Sequence, residues 1–324
     1  MKIYYDLKTL QVPLKYPVVT IGSFDGLHKG HQKILQKLVQ LARKNQGESF
    51  AITFWPHPRQ VLKPRDEHEL LLTLDEKISF FKETGIQHLV IVRFDLNFAK
   101  QSYQVFFNKT IISKFQTRCL VVGYDHAFGK NREGNLRLLE NLCQKSGIRL
   151  FSVAPIKAGA EIASSTRIRY FLKQGKIEEA NRLLGYGYFL EGPVVRGAGQ
   201  GQRLGFPTLN FKCGEKLIPS SGVYATRVEI KGQSYAGALN IGYAPTLGRN
   251  HFALEVHIIH PRVLQRPKMI RVIFLKRIRA EKKFETINQL KNAIRKDVRV
   301  AQFVYQKRGG DLNVHFKGTQ KSDR

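Results

Sequence analysis

The chain has 324 residues, 42% of them hydrophobic, which is enough to bury two cores and makes two domains the expectation. Lys and Arg number 54 against 25 Asp and Glu, a formal charge of +29 that predicts anionic partners without separating nucleotides, nucleic acid and anionic membranes. Three cysteines, Cys119, Cys143 and Cys213, are odd in number and widely spaced, which argues against a disulfide framework or a zinc knuckle.

The opening stretch "MKIYYDLKTLQVPLKYP" lacks a basic segment followed by an apolar one, and no apolar run approaches the ~20 residues that cross a bilayer. A soluble, cytoplasmic protein is expected. The first half then alternates β-branched runs with helical patterns. Candidate strands are "PVVTI" ending at Ile21, "FAITF" at Phe54, "HLVIVRF" at Phe94, "CLVVG" at Gly123 and "IRLFSV" at Val153. Ile34, Leu35, Leu38, Val39 and Ala42 recur at helical spacing between the first two strands, and similar patterns follow Asp75, Ser102 and Gly134. The alternation predicts a parallel sheet covered on both faces by right-handed crossovers. Ligands of such sheets sit beyond the carboxyl ends of the strands. "GSFDGLHKGH" (22–31) and "GYDHAFGKNREG" (123–134) both fall on that edge.

"SSTRIRYFLKQGKIEEANRLLG" reads as two short helices separated by Gly175. The character then changes: "YFLEGPVV", "YATRVEI", "SYAGALNIG", "FALEVHII" and "IRVIFL" are short alternating segments with glycine punctuation, and Lys231-Gly232 is a plausible hairpin turn. An antiparallel β domain, a small closed barrel, is expected, with the boundary near Gly185 to Tyr188. A final amphipathic helix is predicted from about Thr286 to Val304, and "KRGGDLNVHFKGTQKSDR" as a frayed tail.

Two motifs carry the chemistry. His28 and His31 stand at i, i+3 with Lys29 and Gly30 between them, which does not match the His-Glu-x-x-His spacing of a zinc site. They are either packed corner residues or part of a phosphate cradle. Gly22, Gly26 and Gly30 leave room for a ligand near the backbone, and His31 falls at the start of a helix whose free N–H groups favour anions. In "SSTRIR", residues 164–169, the hydroxyls of Ser164, Ser165 and Thr166 suit an N-cap and, with Arg167, would also hold a triphosphate. Cap and phosphate site need not exclude each other.

"GSFDGLHKGH" followed by "SSTRIR" resembles the two signatures of the HxGH nucleotidyltransferase superfamily. "RLGFPTLNF" (203–211), "NIGYAPTLG" (240–248) and "FALEVHII" (252–259) resemble the core motifs of riboflavin kinases. In this order, up to about residue 305, the chain is similar to the bacterial bifunctional riboflavin kinase/FMN adenylyltransferase family, the FAD synthetases. The resemblance implies an α/β plus β architecture: a Rossmann-like nucleotidyltransferase domain over 1–185, then a riboflavin kinase barrel with a C-terminal helix over 186–324. It implies ATP as co-substrate, riboflavin and FMN as acceptors, FAD as product and Mg²⁺ as the metal.

By motif position, His28 and His31 would steady the α-phosphate of ATP, and Ser164, Ser165, Thr166 and Arg167 the outer phosphates. Gly22, Phe24, Asp25, Gly26 and Asp125 would contact nucleotide or flavin, although Asp25 and Asp125 also suit simple turns. In the kinase half, Glu255 would be the base, Thr208 and Asn210 the Mg²⁺ ligands, and Gly201, Gly205, Pro207 and Asn240 part of the substrate site, with "RGAGQGQRLG" (196–205) covering the phosphates. Taken alone, Glu255 would read as a solvent-facing strand residue. Two departures stand out: Ala163 where the family usually has Ile, and "HPRVLQRPK" (260–268) where acidic residues and a Leu-Tyr-Gly turn are typical. Competing readings are a single active domain, another acceptor for the nucleotidyl group, and a basic nucleic-acid-binding protein. No RNA-binding motif, zinc finger or helix-turn-helix signature supports the last, and the positive charge is dispersed.

Overall fold

The computed structural model describes residues 1–10, 14–63, 70–197, 199–243, 252–259 and 266–308. By packing, the chain forms two compact units that divide between Ser165 and Thr166.

The first unit begins with β1 (Lys2–Tyr4) and β2 (Val18–Ile21), the latter wholly buried as its β-branched composition requires. Helix α1 (Lys29–Lys44) buries Ile34, Leu35, Leu38, Leu41 and Ala42, a single stripe at helical spacing, and carries Arg43 and Lys44 in its last turn, where the helix dipole favours cations. β3 (Ser49–Trp55) follows, then the short α2 (Pro58–Leu62). Helix α3 (Leu74–Glu83) starts at a capping box in which Thr73 and Glu76 satisfy each other's backbone amides. Next come β4 (His88–Arg93), α4 (Leu96–Ala99) and α5 (Tyr103–Phe106). The helical pattern predicted after Ser102 is present, but from Phe107 to Lys114 it takes the wider π form. β5 (Cys119–Gly123), α6 (Leu136–Lys145), β6 (Arg149–Val153) and a small ribbon of β7 (Lys157–Ala158) and β8 (Glu161–Ile162) complete the unit.

The six main strands are all parallel, in the order β1-β4-β3-β2-β5-β6. The five predicted strands are present. β1, too short to show a pattern, was not predicted, and it finds its place at the edge by pairing Lys2 with His88. Chain order reverses between β2 and β5, so the crevice of this sheet lies beyond their carboxyl ends. "GSFDGLHKGH" leaves one of those ends and "GYDHAFGKNREG" the other.

Helix α7 (Ser165–Lys173) starts on the last described residue of the first unit, and the second unit continues from Thr166 through the rest of α7 to α8 (Ile177–Leu184), the two helices separated at Gly175 by a left-handed turn (φ 68°). β9 (Phe189–Val195), α9 (Gln200–Arg203), β10 (Thr208–Phe211), β11 (Gly222–Ile230), β12 (Gln233–Gly242), β13 (Ala253–Ile258) and β14 (Met269–Arg279) follow, and α10 (Ile287–Arg308) ends it. The strands close into an antiparallel barrel in the order β10-β13-β12-β11-β14-β9. Lys231 and Gly232 both have positive φ (49° and 80°), as a two-residue hairpin turn needs, and join Ile230 to its partner Gln233.

Packing divides the chain ahead of the composition change at Gly185–Tyr188, because α8 is tied to the barrel. Asn181 donates to the Phe274 carbonyl at 2.9 Å and accepts from the Tyr188 amide at 2.8 Å. The final helix runs past the predicted end at Val304, so Lys307 and Arg308, read as tail, are helical. Ala301 and Val304 pack on the barrel, Tyr305 donates to the Ser234 carbonyl and Arg308 pairs with Glu178, which carries the helix on by another turn. The rest of the predicted tail, residues 309–324, lies outside the described residues.

Candidate active sites

At the switch point of the first unit, the loop after β2 takes positive φ at Phe24 (48°), Gly26 (76°) and Leu27 (35°), then enters α1 with His28 as N-cap. The rings of His28 and His31 stack at 3.7 Å between centroids, 23° from parallel. The Nδ1 atoms of both are buried without a hydrogen-bond partner among the described residues. Burial, against the pull of Asp25, lowers the His28 pKa to about 4. That of His31 is pushed well below the usual range by burial, with His28 and Lys77 adding to the effect. Both rings are therefore neutral at pH 7. Leaving a buried polar nitrogen unpaired costs roughly 1–3 kcal/mol, which a simple packed corner would have no reason to retain.

The glycines turn out to make room for side chains. A Cβ on Gly30 would stand 3.1 Å from Cε1 and 3.2 Å from Nδ1 of His28, and one on Gly22 would stand 3.3 Å from the Phe24 ring. Phe24 is buried and meets the His31 ring edge-on at 5.2 Å, so it supports the imidazole pair. The buried Asp25 carboxylate turns inward, accepting from the Leu71 amide at 3.2 Å and the Leu72 amide at 3.4 Å. Ser165 Oγ donates to the Asp25 carbonyl at 2.8 Å, which joins the second predicted motif to the first. Ala163 is buried, and its carbonyl lies 3.6 Å from where a Gly30 Cβ would be. Ser164 precedes α7. Thr166 and Arg167 follow Ser165 along that helix, and Arg167 lies over the rings of Tyr170 (4.8 Å) and Phe171 (4.6 Å).

After β5, Asp125 is exposed in a turn closed by the His126 amide on the Gly123 carbonyl at 3.1 Å. His126 stacks on Phe128, and burial with the nearby Arg132 lowers its pKa to about 4.

The second site lies on the outer wall of the barrel under α10. Strand register aligns Asn210 with Glu255, Glu255 with Asn240, Asn240 with Val223 and Val223 with Arg279, one row across five strands. Two residues along, Thr208, His257 and Ala238 form the next row on the same face. This wall and α10 enclose a cavity of about 130 Å³ that is lined by Thr208, Asn240, Glu255 and His257 on the barrel side and by Leu290, Ile294 and Val298 on the helix side. Arg279 grips the buried Asp297 of α10 through three contacts of 2.8–3.1 Å. His257 Nδ1 lies 2.8 Å from the Pro207 carbonyl, fixing the turn into β10.

The glycine loop folds against β10. A Cβ on Gly197 would collide with the side-chain amide of Asn210, and one on Gly201 with the Phe206 carbonyl, 3.0 Å from Thr208 Oγ1. Gly205 has φ 87°, which few other residues accept. Residues 244–251 and 260–265 lie outside the described residues, and with them "APTLG" and most of "HPRVLQRPK".

Sequence reasoning missed Lys77, His257, Arg279 and Asp297. Lys77 left one signal: it stands with Leu74, Ile78 and Phe81 at i, i+3, i+4 and i+7, on the apolar stripe of α3. The others are brought in by strand register and helix docking, which no local pattern records. Among the described residues no group of three or more His, Cys, Asp or Glu could hold a metal.

A parallel sheet with a histidine pair at its switch point, joined to a barrel with a carboxylate in a polar strand row, defines a two-domain transferase acting on phosphates. Residues 12–167 match the model of the FAD synthetase family and residues 184–305 that of riboflavin kinase. The chain is 33% identical to a bifunctional riboflavin kinase/FMN adenylyltransferase of Escherichia coli (92% of this chain, 96% of the relative). It is 34% identical to the protein of that description from Bacillus subtilis (86% and 90%). A crystal structure described as a macrolide-efflux protein from Streptococcus pneumoniae superposes with a TM-score of 0.82 at 29% identity, over 93% of this chain and 98% of that one. Among the described residues no helix is long and apolar enough to cross a membrane. The chain belongs to the bifunctional riboflavin kinase/FMN adenylyltransferase family, ATP-dependent transferases of flavin biosynthesis.

Proposed function

We propose that the chain performs both reactions of its family at separate sites: ATP phosphorylates riboflavin at the barrel, and FMN is adenylylated to FAD, with release of pyrophosphate, at the parallel sheet. The modules run 1–185 and 186–324. The observation that carries the reading is that each unit holds its own polar cluster suited to phosphate chemistry, the His28–His31 pair in one and the Asn210–Glu255–Asn240 row in the other.

At the sheet, the phosphate of FMN attacks the α-phosphorus of ATP, the new P–O bond forms and the bond to pyrophosphate breaks. His28 and His31, neutral donors, stabilise the charge that builds on the α-phosphate, while Ser164, Ser165, Thr166 and Arg167 bind the departing phosphates. Gly22, Phe24, Asp25 and Gly26 shape the loop that presents the imidazoles. Asp125, on the neighbouring strand end, contributes to nucleotide or flavin binding.

At the barrel, Glu255 takes the proton of the riboflavin 5′-hydroxyl as it attacks the γ-phosphate of ATP. Thr208 Oγ1 and Asn210 Oδ1 are neutral hard donors on one face of β10, and Gly197 and Gly201 pack so close beside them that a Cβ at either would collide with Asn210 or the Phe206 carbonyl. They fit Mg²⁺, which takes few protein ligands. When bound there, the ion neutralises charge on the phosphates. Gly201 and Gly205 keep the covering loop close, Pro207 sets the entry to β10, and Asn240 lines the flavin side of the cavity. Nucleic acid and membranes are not partners in this reading, and the protein works in the cytoplasm.

The test is a time course of purified protein with riboflavin, ATP and Mg²⁺, separated by chromatography. FMN should rise and then give way to FAD. A folded protein that forms neither refutes the proposal.

A further inference from the structure

Lys77 is 1% exposed on α3, yet an apolar side chain of equal length would fill the same volume without the cost of burying an ammonium. Its Nζ donates to the Ser23 carbonyl at 2.8 Å, an oxygen that also accepts from Thr53 Oγ1 at 3.2 Å. The ammonium is attracted by the Asp25 carboxylate and lies over the Trp55 ring at 5.7 Å. Ser23 and Asp25 flank Phe24, the first of three positive-φ positions in the loop that ends at His28. Backbone held in such conformations persists only where its surroundings over-determine it. Here the fixings are Lys77 and Thr53 on the Ser23 carbonyl, the Leu71 and Leu72 amides on the Asp25 carboxylate, and Ser165 on the Asp25 carbonyl.

We propose that Lys77 is a positioning residue for adenylyl transfer: its ammonium fastens the Ser23 carbonyl beside Asp25 and so holds the strained loop that sets the His28–His31 pair. It touches no reacting atom. Its charge also disfavours protonation of His31 and so keeps a neutral donor in place. Burial lowers the Lys77 pKa to about 8, against the attraction of Asp25. The charged or titratable groups that act on it and on His31 are Asp25 on the loop and His28 at the N-cap of α1. Loss of the ammonium proton above pH 8 therefore loosens the Ser23 anchor. This inference rests on the adenylyltransferase reading of the site.

The test uses the full chain with FMN and Mg-ATP, and riboflavin phosphorylation by the same sample as an internal control. Lys77→Met should lower kcat for FAD formation about 100-fold, with KM for FMN and ATP within about threefold of the unsubstituted protein. The unsubstituted protein should lose adenylyltransferase kcat above about pH 8, a limb absent from Lys77→Met and from the kinase reaction. Thr53→Val, which removes the other donor to the same carbonyl, should lower kcat by a smaller factor. Trp55 fluorescence reports whether the first unit of each variant is folded. A folded Lys77→Met with kcat within threefold of the unsubstituted protein, or with the alkaline limb unchanged, overturns the role of Lys77. If Lys77→Met does not fold, the limb in the unsubstituted protein and the Thr53→Val result decide. If the unsubstituted protein makes FMN but never FAD, the adenylyltransferase reading fails with it.

Discussion

The two sites are built by opposite means. In the first unit the two imidazoles stand at the end of one short loop and in the first turn of α1, their Nδ1 atoms buried without a partner among the described residues and desolvation holding them neutral, and the backbone strain of that loop is secured by Thr53, Lys77 and Ser165. In the second, residues from five strands reach one cavity through antiparallel register, with extended backbone and a docked helix as the opposite wall. A loop site concentrates its motif in sequence and depends on its anchors. A register site scatters its residues and depends on the barrel.

Two substitutions divide the chemistry most sharply. Glu255→Gln should lower riboflavin phosphorylation about 10²–10⁴-fold through loss of the base, and leave FMN adenylylation unchanged. His31→Ala should do the converse, lowering FAD formation about 10²–10³-fold with the kinase intact. Steady-state rates with riboflavin and FMN supplied separately check both.

Acid should discriminate between the units. His28 and His126 have folded pKa values of about 4 against the ordinary 6.5, so the unfolded chain binds more protons between those values and stability falls as pH drops through that window. Above pH 6.5 the full contribution is present. Thermal melts followed by Trp55, the sole tryptophan and part of the first unit, should show Tm lower by roughly 5–10 °C at pH 4.5 than at pH 7. A flat Tm over that range would contradict the buried neutral histidines.

The smallest effect expected is that of Gly30→Ala. Its Cβ would press on His28 at 3.1 Å and tilt the stacked pair, lowering FAD formation about tenfold with little change in the kinase rate. The same assay, run beside His31→Ala, checks it.

Much of this was legible in the residues. The periodicity of Ile34 to Ala42, the β-branched runs and the helical patterns after Asp75 and Gly134 mark elements whose local preference and tertiary role agree. The loop motif was legible for the same reason: its glycines, histidines and serines are adjacent in sequence. Their purpose was less so, since the space at Gly22 and Gly30 proved to be taken by Phe24 and His28. β10 was hidden because Thr208, Leu209 and Asn210 are all partly exposed and show no apolar alternation. The Arg279–Asp297 clamp depends on how α10 docks. Lys77 shows how a charged residue on an apolar stripe can mark a buried anchor.

The central claim is that each unit carries one reaction with its own residues, and the most direct measurement is FAD production by Glu255→Gln given either FMN or riboflavin, with ATP and Mg²⁺. FAD should form from FMN at the rate of the unsubstituted protein and almost none should form from riboflavin. FAD formed readily from both, or from neither while Trp55 reports a folded first unit, would contradict the claim.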